Sequence, residues 1–273
     1  MKQSAAARHN PRYDIRYNKK WRAWRRQQEA QAWVDCLYKL AVNCEGAMHA
    51  ELMSKLAYCT DGGGHGEPFF DRKKQTWGLT WYKTSEKDVA IVPIARTDAR
   101  LHPYFKELQN KIRYSEGPRT IFLPIVDDIT AKWRGVVLYH ELLHYEYHLQ
   151  NKFRENEKAH WVEEYEVFCR EIALVKHFYK QPYDQAAEEL AASFKQKLSN
   201  NQFTLNSFDD VPDDVLHAAL GECWSSIETG TKRALLILDA LYRALDTLHP
   251  DGNKQEHHDI TEWFYNTHPK VTW

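Results

Sequence analysis

The sequence predicts an α+β fold that is mostly helical and contains a small mixed sheet. Two long stretches, from about 18 to 57 and from about 132 to 248, have a helix-forming composition and apolar residues at helical spacing. Short apolar runs of the kind found in strands occur only between 76 and 126. Helices and strands that are segregated along a chain are typical of α+β domains.

The first helical stretch is followed by a break. Trp33, Leu37, Leu40 and Ala41 recur at spacings that place them on one helical face. The segment 61–68 then contains four glycines and a proline, which favour turns. We interpret it as a connection; a loop of this kind, which includes His65, could also cover a substrate cleft.

Three short runs predict strands, at 76–84, 88–95 and 120–126, and a helix is expected between the second and the third, at about 98–113. From about residue 132 onward, the chain is predicted to be almost entirely helical. The sequence contains no internal repeat. The predicted helices span approximately 132–151, 158–180, 183–199, 212–227 and 231–248.

Composition excludes several classes of protein. With 37 Lys and Arg against 38 Asp and Glu, and 43% hydrophobic residues, the chain is neither a histone-like polycation, nor an acidic disordered tail, nor collagen-like. It has no long apolar run and no hydrophobic leader, so we expect a soluble protein without a membrane partner. Five cysteines without a C-x-x-C pair exclude a cysteine zinc ribbon and indicate free thiols in a reducing, cytoplasmic environment.

The near-neutral total conceals a basic N-terminal arm. Residues 1–26 contain nine Lys and Arg against one Asp, a net charge of +8, so the rest of the chain carries -9. Four aromatic residues among these charges could stack on bases while the cations contact phosphates. Alternatively, the arm is solvated and leads into a helix whose tryptophans are core residues. We divide the chain into this arm and a single domain, 27–273, whose C-terminal part from about 181 is helical.

One motif carries recognisable chemistry. His140, Glu141 and His144 form H-E-x-x-H within an apolar, helical context. Histidines four residues apart lie one above the other on a helix, so both imidazoles can reach one metal ion. The glutamate between them can accept a proton from a metal-bound water, which is why this spacing marks zinc hydrolases. Without a metal, the same histidines could simply cap or pack.

With this motif behind a strand-like run, the sequence resembles the zincin superfamily of metallopeptidases, over roughly 75–180 and most specifically over 140–172. The resemblance implies a small mixed sheet in front of the active-site helix. It also implies a Zn²⁺ ion bound by His140 and His144, with Glu141 as general base.

The third zinc ligand is left open among three residues of the next predicted helix, Glu164, His160 and Glu163. Glu164, with Val167 and Phe168 after it, is similar to the E-x-x-A-Y/F pattern of gluzincins, although Val167 stands where alanine is usual. The neighbouring Glu163 makes the register ambiguous by one residue. His160 lies 16 residues after His144, a spacing similar to that of Spartan-like proteases, although Trp161 replaces their glycine.

His148 continues the histidine stripe but lies about 12 Å from the level of His140, too far to share its ion. We interpret it as a supporting, substrate-facing or surface residue. Further supporting groups are expected but not selected by the sequence. Candidate donors to an oxyanion are His177, Tyr179, His217 and Tyr242. Candidate carboxylates that orient a ligand imidazole are Asp127, Asp128, Glu166 and Glu171.

Three functions are therefore expected, in order of preference. The first is a zinc-dependent peptidase that acts on a protein or peptide substrate through a metal-activated water. The second is a DNA-associated, Spartan-like protease whose arm, residues 1–26, binds nucleic acid. The third is a non-catalytic interaction protein on a zincin-like scaffold.

Overall fold

A computed structural model describes most of the chain. The described residues are 19–71, 76–82, 89–94, 113–115, 120–124, 130–150, 157–200, 213–221, 226–252 and 254–267. They contain seven helices, α1 (Lys19–Val42), α2 (Gly46–Leu56), α3 (Ala131–Leu149), α4 (Glu157–Ser199), α5 (Asp213–Leu220), α6 (Ser226–Leu248) and α7 (Lys254–Thr267). Five strands lie between α2 and α3, β1 (Cys59–Asp71), β2 (Thr76–Tyr82), β3 (Val89–Ile94), β4 (Arg113–Ser115) and β5 (Thr120–Pro124).

The first helical stretch forms two helices instead of one. α1 buries Trp33, Leu37 and Leu40, the face that the apolar spacing predicts. The chain then turns into α2 at Gly46, whose φ of +59° lies in the left-handed region that favours glycine. α1 also runs across the predicted boundary between the arm and the domain at residue 26.

The motif helix, α3, is deeply buried. Every residue from Gly135 to Tyr145 is buried, which amounts to three turns with no exposed face. α3 packs mainly against α1 and α4. The close approach of α1 depends on Gly135, because a Cβ atom there would lie 2.5 Å from Leu40 Cδ1 and 3.1 Å from the carbonyl oxygen of Cys36.

The helix after the motif is longer than predicted. The sequence predicts a break between helices at 158–180 and 183–199, but α4 continues through Pro182. The buried side chains of Tyr183 and Ala187 pack it against α6, its main partner in the described chain. α7, which the sequence analysis missed, packs against α4 and α6.

The strands pair in the order β2-β1-β3-β5-β4. β1 is antiparallel to β2 and parallel to β3, while β5 is parallel to β3 and antiparallel to β4. The glycine-rich stretch 61–68, predicted to be an irregular connection, lies within β1. β1 and β3 pack on α1.

The predicted fold class, α+β and zincin-like with a small mixed sheet in front of the motif helix, is wrong. Helix dominates the interpretable part of the chain, and the strands add only Val89, Ile91, Ile121 and Leu123 to the described core. Helices α1 and α4 flank α3, and of the strands only the three-residue β4 makes more than marginal contact with it. A helix that is buried on all sides lies in the core of its domain, and here its main neighbours are helices.

A partly buried ion network joins α2, α3 and α4. Lys55, which is only 1% exposed, pairs with Glu146 and lies 3.4 Å from Glu51. Arg170 of α4 pairs with the same two carboxylates, at 2.6 Å from Glu146 Oε2. Burial raises the pKa of the Glu146 carboxyl, but the hydrogen bonds from Lys55 and Arg170 outweigh burial and hold this pKa below its ordinary value. Tyr139 also donates a hydrogen bond to Glu51, at 3.1 Å.

Several predictions fall outside the described residues, namely the arm up to residue 18 and most of the helix expected at 98–113. None of the helices in the described part of the chain combines the length and apolar character needed to cross a bilayer.

Candidate metal centre

Two buried imidazoles converge from α3. His140 and His144 are 2% and 5% exposed and lie one turn apart on the same face of the helix. Their Nε2 atoms are 3.2 Å apart. Two ligands of a tetrahedral zinc ion, each at 2.0–2.1 Å from the metal, are separated by about 3.3 Å. The two Nε2 atoms therefore already have the separation that a shared zinc ion requires.

The third donor comes from α4. Glu164, also buried, places Oε2 at 3.6 Å from His144 Nε2. The donor atoms of His140, His144 and Glu164 all lie within 4.8 Å of one another. Two imidazole nitrogens and one carboxylate oxygen form the ligand set of many catalytic zinc sites, which leave a fourth position for water or substrate. The residues present thus fit a zinc ion.

The Nδ1 atom of each imidazole contacts a buried carboxylate other than that of Glu164. His140 Nδ1 lies 2.8 Å from Glu171 Oε2, and His144 Nδ1 lies 2.6 Å from Glu163 Oε1. A carboxylate accepts a hydrogen bond, so each Nδ1 is the donor. In the neutral imidazoles, the lone pairs are then on the Nε2 atoms, which face each other and Glu164.

The electrostatics of this cluster favour a cation. Burial lowers the pKa of His140, but the carboxylates of Glu171, Glu141 and Glu164 outweigh burial and raise this pKa to about 9. Buried carboxylates are costly unless a compensating positive charge is present. A divalent ion between the Nε2 atoms would supply that charge and take the place of a proton.

Glu141 lies beside this centre. It is 2% exposed, follows His140 directly in α3, and lies close enough for its charge to raise the pKa of that histidine. A buried carboxylate beside a metal-bound water is the arrangement required of a general base.

The remaining candidates are His160, Glu163 and His148. The side chain of His160 lies outside those that the structure describes, although its backbone belongs to α4. Glu163 contacts the nitrogen of His144 that faces away from Glu164. His148 is half-buried on the turn after His144.

Of the candidate supporting residues, one contacts a site histidine, several have other partners or are exposed, and the rest lie outside the described residues. Glu171 contacts a site histidine, whereas Glu166 accepts a hydrogen bond from Tyr147 instead. Tyr242 forms a 2.7 Å hydrogen bond with Thr261. Of the remaining oxyanion candidates, Tyr179 stacks on Trp133, His177 packs on Phe178 and His217 is exposed. The candidate carboxylates Asp127 and Asp128 lie outside the described residues, as does the side chain of the loop residue His65.

The carboxylate partner of neither imidazole was predicted from the sequence, in which Glu163 is a possible ligand and Glu171 is one of four equivalent candidate carboxylates. Their spacing gives only a weak signal, because residues eight apart on one helix differ by about 80° around the axis and by about 12 Å along it. The ring of Phe168, between them, packs on His140 with centroids 5.5 Å apart.

Comparisons of the chain with protein-family models, with curated proteins and with solved structures found no match.

Proposed function

We propose that the protein is a zinc-dependent peptidase. One observation carries the proposal: the donor atoms of His140, His144 and Glu164 lie within 4.8 Å of one another, buried, next to the buried carboxylate of Glu141. Peptide hydrolysis is favoured over other hydrolyses by the resemblance of the H-E-x-x-H helix to the zincins.

The proposed roles follow from the chemistry of each side chain. His140, His144 and Glu164 would hold the ion, which would act as a Lewis acid on the scissile carbonyl and lower the pKa of a coordinated water. Glu141 accepts a proton from the attacking water and returns it to the leaving amine. Catalytic zinc sites take three protein ligands and a water, and His140, His144 and Glu164 match that ligand count.

The test replaces Glu141 by glutamine and measures both zinc content and hydrolysis of a mixed peptide substrate. Glu141→Gln removes the base but none of the three proposed ligands, so we expect about one zinc per chain. The rate should fall by at least about 10²-fold, the usual contribution of a general base. Glu189→Gln, an exposed glutamate on α4, is the matched control and should retain both properties.

Two results would contradict these roles. Full activity of Glu141→Gln would show that Glu141 is not the base, and loss of its zinc would show that it is a ligand. Wild-type protein that binds zinc but hydrolyses no peptide would favour the non-catalytic scaffold. A cytoplasmic location is part of the proposal and is supported by the free thiols of Cys36, Cys44, Cys59 and Cys169.

A second proposal is that the basic arm binds nucleic acid, which would make the peptidase a DNA-associated one. The favouring observation is Trp24, whose side chain is 55% exposed on α1, beside the +8 charge of residues 1–26. An exposed indole among cations can stack on a base. Because α1 begins at Lys19, the test neutralises Arg8, Arg12 and Arg16 in the full chain instead of deleting the arm. Salt-sensitive DNA binding should weaken, and an intact protein with no affinity for DNA at low salt would refute the proposal.

A further inference from the structure

We infer that Glu163 and Glu171 are positioning residues that set the metal affinity of the centre by holding the two ligand imidazoles from behind. The inference rests on the proposed metal site. It gives the adjacent glutamates 163 and 164 different tasks, the first to orient a ligand and the second to be one.

The contacts support this division. Glu163 Oε1 lies 2.6 Å from His144 Nδ1, whereas Glu164 Oε2 lies 3.6 Å from Nε2 of the same ring. Nδ1 and Nε2 point away from opposite sides of an imidazole, so one ring separates the two carboxylates. The oxygen that contacts Nδ1 therefore lies on the side of the ring away from the ion.

The second imidazole repeats the arrangement. Glu171 Oε2 lies 2.8 Å from His140 Nδ1, and Glu171 is completely buried. Glu163 is 3% exposed. A carboxylate so deeply buried is costly in free energy unless it has a specific partner, and each of the two has an imidazole N–H as that partner.

The two helices thus have complementary roles. α3 supplies both imidazoles and the base, while α4 supplies the carboxylate ligand and both positioning carboxylates. Glu163 and Glu171 are eight residues apart, so they are separated by about two turns of α4 and can face two imidazoles one turn apart on the crossing helix α3. The ring of Phe168 packs against His140 between these two levels.

The expected effect follows from the chemistry of the ligand. An imidazole that donates its N–H to a carboxylate is fixed in the tautomer with its lone pair on Nε2 and is a stronger donor to a metal. Loss of such an outer partner typically weakens metal binding by 10- to 100-fold. Glutamine keeps an oxygen that can accept the hydrogen bond but removes the charge, whereas alanine removes both.

The experiment uses the full chain and four variants, Glu163→Gln, Glu163→Ala, Glu171→Gln and the control Glu166→Gln. Glu166 lies on the same helix but contacts Tyr147 instead of an imidazole, so its variant makes the same chemical change away from the rings. Zn²⁺ affinity is measured by competition with a chromophoric chelator. The visible spectrum of the Co²⁺-substituted protein reports ligand geometry, and urea unfolding of the metal-free proteins reports folding.

We expect the Glu163 and Glu171 variants to bind Zn²⁺ about 10- to 100-fold more weakly than the control. Glu163→Ala should bind Zn²⁺ more weakly than Glu163→Gln. The Co²⁺ bands of these variants should differ from those of the control. A purely structural role would lower the stability of the metal-free protein but leave the Co²⁺ bands of the folded fraction unchanged. Affinities and spectra equal to those of Glu166→Gln would overturn the inference while leaving the metal site in place. A wild-type chain that binds no zinc would overturn the proposed function and this inference together. Weakened binding in a protein without peptidase activity would support the inference and contradict only the proposed reaction.

Discussion

Replacing Lys55 by methionine tests the ion network that joins α2, the motif helix and α4. The Lys55 side chain is 1% exposed and reaches Glu146 and Glu51. Methionine fills most of the space of the aliphatic stem and removes the ammonium group with its charge and its hydrogen bonds to Glu146 and Ser54. The variant therefore isolates the polar contribution from the packing of the stem.

The expected loss of stability depends on the ion pairs that remain when Lys55 is replaced. Removing one partner of a buried ion pair typically costs about 3 to 5 kcal/mol, because the other charge stays buried. Arg170 still pairs with both carboxylates, at 2.6 Å from Glu146, and compensates part of the loss. Glu146 and Glu51 are also 15% and 29% exposed, so water screens part of the remaining charge. We therefore expect the free energy of unfolding to fall by about 1 to 2 kcal/mol, below that range.

The assay is urea unfolding followed by circular dichroism, for Lys55→Met, Glu146→Gln and the double variant. Residues in direct contact should couple, so the double variant should lose less free energy than the sum of the single losses. Lys39→Met, an exposed lysine on α1, is the matched control and should stay within about 0.5 kcal/mol of wild type. If Lys55→Met is as stable as Lys39→Met, or if the cycle shows no coupling, the network does not stabilise the fold as argued.

Two further predictions concern the packing and the charge of the motif helix. Gly135→Ala should lower the free energy of unfolding by about 1 to 2 kcal/mol, because overpacking against Leu40 and the backbone oxygen of Cys36 outweighs the helix propensity that alanine gains. If urea unfolding shows this variant to be as stable as wild type or more stable, α1 does not approach α3 as closely as described. Because the pKa of Glu146 is lowered in the folded protein, its contribution to stability is present above its unfolded pKa of about 4.3 and is lost as the pH falls below that value. Unfolding free energies measured between pH 7 and pH 3 should fall less steeply for Glu146→Gln than for wild type, and parallel curves would refute the assignment.

The centre of the candidate site could be predicted from sequence because His140 and His144 lie within one turn of the same helix. Helical geometry alone places His140 and His144 on one face, and α3 realises that geometry. The choice of Glu164 as third ligand came from a resemblance. The structure brings its oxygen to the imidazoles, and a ligand role for it stays a proposal.

The surroundings of the motif helix could not be predicted because they depend on tertiary contacts. The apolar run 135–145 shows that α3 is buried, but burial by a sheet and burial by helices give the same pattern. The zincin resemblance suggested a sheet in front of α3, whereas α1 and α4 flank it. Likewise, no local pattern joins Lys55 to Glu146, 91 residues away.

The most direct test of the central claim is the zinc stoichiometry of the purified full chain, compared with that of Glu164→Ala and His160→Ala. The proposed centre predicts about one equivalent of zinc in the wild type and in His160→Ala, and a loss of zinc in Glu164→Ala. A wild-type chain without zinc, or a Glu164→Ala variant that retains its full equivalent, would contradict a centre built from His140, His144 and Glu164.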